Sequence, residues 1–161
     1  MIRRLVSGGQ TGVDRAALDV ALELGVPCGG WCPQGRGAED GTIPEHYPLT
    51  ETPSSDYSQR TRWNVRDSDG TLILASGEPT GGTLLTLDEC REAGKPCLVI
   101  DLAHGGSLAE AVRAARDWIE TNLPGGVLNV AGPRASELSA VYGPAQAFLR
   151  NLLGRSSGRK L

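Results

Sequence analysis

Apolar runs alternate with stretches of three-and-four periodicity along the whole chain, which predicts strands and helices in turn and a parallel sheet covered on both faces. Five strands are expected, at Arg3 to Ser7, Pro27 to Cys32, Thr71 to Ala75, Cys97 to Leu102 and Val127 to Ala131. In the first helix Val13, Ala16, Ala17, Val20, Ala21 and Leu24 form a buried stripe, and Gly25 follows as a left-handed stop. Thr11 with Asp14, and Ser107 with Glu110, show the capping-box pattern of a helix start. In the last helix Leu138, Val141, Tyr142, Ala145, Phe148, Leu149 and Leu152 share one face, and Gly143-Pro144 predicts a kink within it. Right-handed crossovers are compatible with the strand order 2-1-3-4-5. One domain is expected over residues 1–154, followed by a short, polar, flexible tail over 155–161.

Two glycine turns follow apolar runs directly. The first is Ser7-Gly8-Gly9-Gln10-Thr11-Gly12 after the first strand, and the second runs from Ser76 and Gly77 to Thr80-Gly81-Gly82-Thr83 after the third. Each opens a helical stretch, so backbone N–H groups and the positive helix end would meet an anion above the sheet edge. Neither is a P-loop, which would place Lys-Ser or Lys-Thr after the glycines, and neither is GxGxxG. With the first and third strands side by side, the turns would form two walls of one crevice at the carboxyl edge.

Other candidates gather around them. The stretch Tyr57 to Asp67 reads as a helix with Arg60, Thr61, Asn64 and Asp67 on one face, and that polar face calls for a polar partner. Arg60 is the expected anion ligand, with Asn64 beside it. Pro33 to Asp56 lacks periodicity and reads as a binding loop presenting Arg36, Glu39 and Asp40. The adjacent carboxylates Glu39 and Asp40 are expected to point apart, and no metal site is expected. Gly132-Pro133-Arg134 ends the fifth strand and offers another arginine at the sheet edge. His46 and His104 stand alone, with no triad and no catalytic residue assigned.

A net charge of −3 excludes a broad basic field for nucleic acid. No apolar run reaches the length of a membrane span, which points to a cytoplasmic protein. Of 16 basic residues only Lys95 and Lys160 are lysine, a bias compatible with bidentate phosphate contacts. Cys28, Cys32, Cys90 and Cys97 contain no CxxC pair and read as reduced thiols rather than a zinc site or a disulfide framework.

A set of unusual motifs carries a family resemblance. Gly29-Gly30-Trp31-Cys32-Pro33, Arg36, Ala38-Glu39-Asp40-Gly41, Ile43-Pro44, Tyr47-Pro48-Leu49, Glu51-Thr52, Arg60-Thr61, Asn64-Val65, Asp67-Ser68-Asp69-Gly70-Thr71 and Gly81-Gly82-Thr83 together resemble the molybdenum cofactor carrier family. That family is a circularly permuted branch of the SLOG superfamily, which contains the LOG-type, lysine decarboxylase-like proteins. The resemblance implies a Rossmann-like, three-layer α/β domain, homo-oligomeric assembly as dimer or tetramer, and a surface pocket for the pterin cofactor or a nucleotide-like ligand. It further implies a carrier rather than an enzyme, with molybdoenzymes as recipients and no protein ligand to molybdenum. LOG-type relatives hydrolyse nucleoside monophosphates through the glutamate of PGGxGTxxE. Here Thr80 replaces the proline and Thr86 stands where that glutamate would fall. A nucleotide-processing enzyme and a nucleotide sensor remain the alternative readings.

Overall fold

The computed structural model describes residues 1–154, and the tail expected over 155–161 lies outside them. The elements in order are β1 (Arg4–Val6), α1 (Val13–Leu24), β2 (Cys28–Gly29), β3 (Trp31–Cys32), β4 (Gly37–Ala38), β5 (Gly41–Thr42), β6 (Thr50–Glu51), α2 (Tyr57–Arg66), β7 (Gly70–Ala75), α3 (Gly81–Ala93), β8 (Cys97–Asp101), α4 (Leu108–Asn122), β9 (Val127–Ala131) and α5 (Tyr142–Leu153). Among the described residues no helix is long and apolar enough to cross a membrane.

Five strands make one parallel sheet in the order β2-β1-β9-β7-β8. The α/β architecture is the expected one, but the expected order 2-1-3-4-5 is not. The last strand stands between the first and the third, with Leu5 opposite Leu128 and Leu72 opposite Val130. Burial explains the choice. Val127 to Val130 are all buried, as a central strand requires, whereas β8 forms the edge and leaves Val99 37% exposed. Across the β9–β7 pair, the buried Asn129 donates to Thr71 Oγ1 at 3.2 Å. Counted from β9 instead of from β1, the sheet reads 3-2-1-4-5, the order of a doubly wound nucleotide-binding sheet.

Alternate strand residues point to opposite layers. Leu5, Leu72, Leu74, Leu128 and Val130 join one core with Ala17 and Val20 of α1, Val112 and Ile119 of α4, and Phe148 and Leu149 of α5. In the same layer α5 packs against α1 and α4, while α2 packs against α3.

Three local expectations change. The second predicted strand breaks at Gly30, whose φ is +128° and where any Cβ would lie 2.4 Å from the Ser7 carbonyl oxygen, so that only glycine fits the break. Cys28 and Cys32 therefore fall in separate sheets, and all four cysteines are free thiols. The kink expected at Gly143-Pro144 is absent because α5 begins at Tyr142. Proline in a first turn gives up an N–H that has no helical acceptor. The box expected from Thr11 and Asp14 is likewise not formed. Gly12 is the N-cap of α1, and the Asp14 carboxylate instead accepts from Gln10 N at 3.2 Å. Of the second box the N-cap half forms, with the Ser107 hydroxyl accepting from Glu110 N at 3.1 Å.

The segment from Pro33 to Asp56 is organised around Arg36. Its guanidinium donates to the carbonyls of Ile43 (3.2 Å), Leu49 (3.3 Å), Pro44 (2.8 Å) and Tyr47 (3.1 Å). Tyr47 then fastens the segment to α1 by donating to Asp19 at 2.7 Å. Arg36 thus holds a loop together where the sequence had suggested a ligand contact. Replacing it with alanine removes charged donors from four carbonyls and is expected to cost about 2–3 kcal/mol in chemical denaturation. Arg36→Lys should recover only part of that, since an ammonium lacks the planar five-donor fork.

Candidate functional site

The carboxyl ends of β1 and β9, with the start of α3, open into a cavity of about 310 Å3. Asn129, Val130, Ala131 and Gly132 of β9 and its exit form the part of the lining between the two glycine turns, with α2 and the first turns of α3 supplying the rest. Among the sequence candidates, Gly8, Gln10, Arg60, Asn64, Gly82, Thr83, Gly132 and Arg134 line it. Gly9, Thr11, Gly12, Arg36, Ser76, Gly77, Thr80 and Gly81 do not. The lining also includes Asp14, Asp56, Tyr57, Ser58, Leu85, Thr86 and Glu137, none of them a sequence candidate. One signal was available for Asp14, an acidic residue in the first turn of the helix that the first glycine turn opens.

At the start of α1 some amides are engaged within the chain, Gln10 N donating to Asp14, Thr11 N to Gln10 Oε1 at 3.1 Å, Val13 N to Pro133 O at 3.3 Å and Arg15 N to Gln10 O at 3.2 Å, while among the described residues Gly8 N, Gly9 N and Gly12 N have no acceptor. At the start of α3, Thr80 supplies no side-chain cap, and among the described residues Gly81 N and Gly82 N have no acceptor. Thr83 is 5% exposed and its hydroxyl is without a partner. A thirteen-residue helix therefore presents its positive end and free donors to the cavity at Gly82 and Thr83.

Arg60 is buried and held on several sides. Its Nη1 donates to Gly8 O at 2.8 Å, its Nε to Thr61 Oγ1 at 3.4 Å, and its guanidinium lies 5.2 Å from the centre of the Tyr57 ring. Asn64 grips the backbone of Trp31, accepting from its N–H at 2.8 Å and donating to its carbonyl at 3.0 Å. These bonds are the partner that the polar face of α2 called for. Burial pushes the Asp14 carboxyl above its ordinary value, against the opposing pull of Arg60, Gln10 N, Ser7 and Arg15.

Charge in the cavity is divided. Asp14, Asp56 and Glu137 face Arg60 and Arg134, and Arg134 itself lies between Glu137 at 3.2 Å and Glu39 at 3.7 Å. A ligand with one phosphate suits this balance better than a polyphosphate, whose extra charge would meet three carboxylates.

Glu39 forms a clamp beside the cavity. Its carboxylate accepts from the hydroxyls of Thr11 and Ser136 and from Ser136 N at 3.1 Å, while Thr11 Oγ1 accepts from Ala135 N at 3.1 Å. Asp40 turns the other way, pairing with Arg15, whose Nη2 lies 2.8 Å from Oδ1. The two adjacent carboxylates thus point apart. Among the described residues no group of three or more His, Cys, Asp or Glu side chains is placed to hold a metal ion.

A doubly wound parallel sheet with an open helix terminus at the carboxyl edge of its central strands defines a Rossmann-like domain. The chain belongs to the circularly permutated YpsA SLOG family, whose pattern matches residues 5–153. It is similar to a protein of known crystal structure, "Putative molybdenum carrier protein" from Syntrophus aciditrophicus SB. The two share 47% identity over 94% of this chain and 95% of that one, with a TM-score of 0.90. No curated protein matches the chain.

The hydroxyls of Ser136 and Thr11 hold the Glu39 carboxyl below its ordinary value. Its charged form is therefore favoured in the folded chain, and the clamp is fully present above the ordinary glutamate range and lost as pH falls through the lowered value. Hydrogen exchange at Ser136 N, corrected for intrinsic rates, should stay flat from neutral pH down to that range and then accelerate. Glu39→Gln should accelerate it at neutral pH.

Proposed function

We propose that the protein binds and carries a ligand with one phosphate on a planar heterocycle, the molybdenum cofactor or a related phosphorylated pterin or nucleotide. The observation that carries this reading is the free N-terminus of α3, with Gly82 N and Thr83 Oγ1 unpartnered at the cavity wall. Phosphate has the charge and the acceptors to satisfy both. The cavity between the two turns, with Val130, Ala131 and Leu85 along it, accepts a flat ring. Likeness to the Syntrophus protein favours the molybdenum cofactor over other ligands of this shape. Held through phosphate and pterin, the cofactor needs no protein ligand to molybdenum, and release to molybdoenzymes from a homo-oligomeric carrier completes this reading.

A nucleoside monophosphate hydrolase is the second reading, favoured by the carboxylates of Asp14, Asp56 and Glu137 in the cavity. Against it stands Thr86, which occupies the position of the LOG-type glutamate and whose hydroxyl donates to Gly82 O at 2.9 Å.

Titration with molybdenum cofactor and with nucleoside monophosphates separates the two. The carrier reading expects saturable binding without turnover, and release of free base from any monophosphate would replace it. Gly82→Asp sharpens the test, because a Cβ at Gly82 meets nothing within 4 Å. A carboxylate in the first turn of α3 should leave the melting temperature unchanged or slightly raised while repelling phosphate, with affinity falling at least tenfold. Unaltered affinity would remove α3 from the site.

A further inference from the structure

Gln10 Nε2 is the second buried polar atom without a partner at the cavity. The residue is 6% exposed, and its side-chain oxygen accepts from Thr11 N at 3.1 Å and from Glu39 N at 2.9 Å. Two donors on that oxygen settle which way the amide points, since the reversed amide would set its NH2 against two N–H groups. The NH2 is therefore a donor locked in position, with no acceptor among the described residues. Buried donors are normally matched, and this one lies at the cavity, where a ligand can supply the acceptor.

Asp14 supplies the opposite group beside it. It is 8% exposed, lines the same cavity, and has one oxygen committed to Gln10 N at 3.2 Å. Ser7 from the end of β1, Arg60 from α2 and Arg15 from its own helix are the polar and charged groups that act on the carboxyl. The Ser7 hydroxyl, beside this carboxyl, donates to Val130 O at 2.7 Å.

A locked donor next to an acceptor fits a ligand edge that sets an acceptor next to a donor. We infer that Gln10 and Asp14 form the specificity-determining end of the cavity and read a lactam edge, with Gln10 Nε2 donating to the carbonyl oxygen and Asp14 accepting from the neighbouring ring N–H. Oxo-substituted pterins and guanine carry that edge. Adenine presents an amine next to a bare ring nitrogen, the reverse order, and would leave both side chains mismatched. This inference rests on reading the site as one for a phosphorylated heterocycle. The geometry supplies the spacing, because β9 separates the Gln10 turn from the α3 terminus by two strand intervals, about 10 Å. That distance leaves room for a ring and its linker between edge and phosphate.

The test is calorimetric titration of the full chain with GMP, AMP and dihydroneopterin monophosphate. GMP and the pterin should each bind at least tenfold more tightly than AMP, and their ratio tells which lactam the cavity prefers. The double variant Gln10→Glu/Asp14→Asn reverses the donor and acceptor and should reverse the preference toward AMP. If that variant does not fold, the wild-type side-chain amide resonance of Gln10 serves instead: it should shift on adding GMP and stay in place on adding inorganic phosphate. Equal affinities for GMP and AMP, or a Gln10 resonance indifferent to GMP, would overturn the inference. Phosphate-dependent binding without preference would leave the carrier reading standing, whereas absence of binding by every phosphorylated ligand would remove both.

Discussion

The insertion of β9 between β1 and β7 is the constraint on which the rest of the molecule depends. It supplies both neighbours with a buried partner strand, it buries Asn129 against Thr71, and it places Val130, Ala131 and Gly132 between the two glycine turns. Had β1 and β7 paired directly, the turns would stand one strand interval apart and face a single small anion together. With β9 between them they become the two ends of an elongated crevice. The close fit of the parts shows at Gly132, where a Cβ would come within 2.3 Å of Leu74 O.

Polar groups in this crevice are unequally provided for. Arg60, Asn64 and the Ser7, Gln10 and Thr11 amides of the first turn have partners inside the chain, so they form a rigid frame rather than a reserve of free ligand contacts. Gln10 Nε2, Thr83 Oγ1 and the open terminus of α3 do not. A buried carboxylate and guanidinium such as Asp14 and Arg60 bring little net stability, because desolvation offsets their attraction. Their retention beside unmatched donors reads as preparation for a ligand that completes the network.

Much of this was legible in the sequence, and the remainder was not for identifiable reasons. The periodicity of α1 and the apolar run from Val127 to Ala131 located those elements closely. Strand order escaped because β8 and β9 are equally short apolar runs, and only packing decides which is covered on both sides. Arg36 looked like a ligand contact because an arginine in a glycine-rich loop looks the same in either role, and the four carbonyls that receive it lie between positions 43 and 49. The glycine turns announced themselves by composition. Whether their amides were free depended on Asp14, Pro133 and the orientation of Gln10, which no local pattern encodes.

The central position of β9 also bears on how the chain reaches its fold. Ser7 and Val130, joined by a hydrogen bond, are 123 residues apart in sequence. Contacts of such long range are slow to form, because loop closure must precede the gain from pairing. During synthesis β1 and β7 would each wait with an open edge until the final strand emerged, and the crevice could not exist before then. Formation of the crevice is thereby tied to near-completion of the domain, so a partly made chain has no crevice at all.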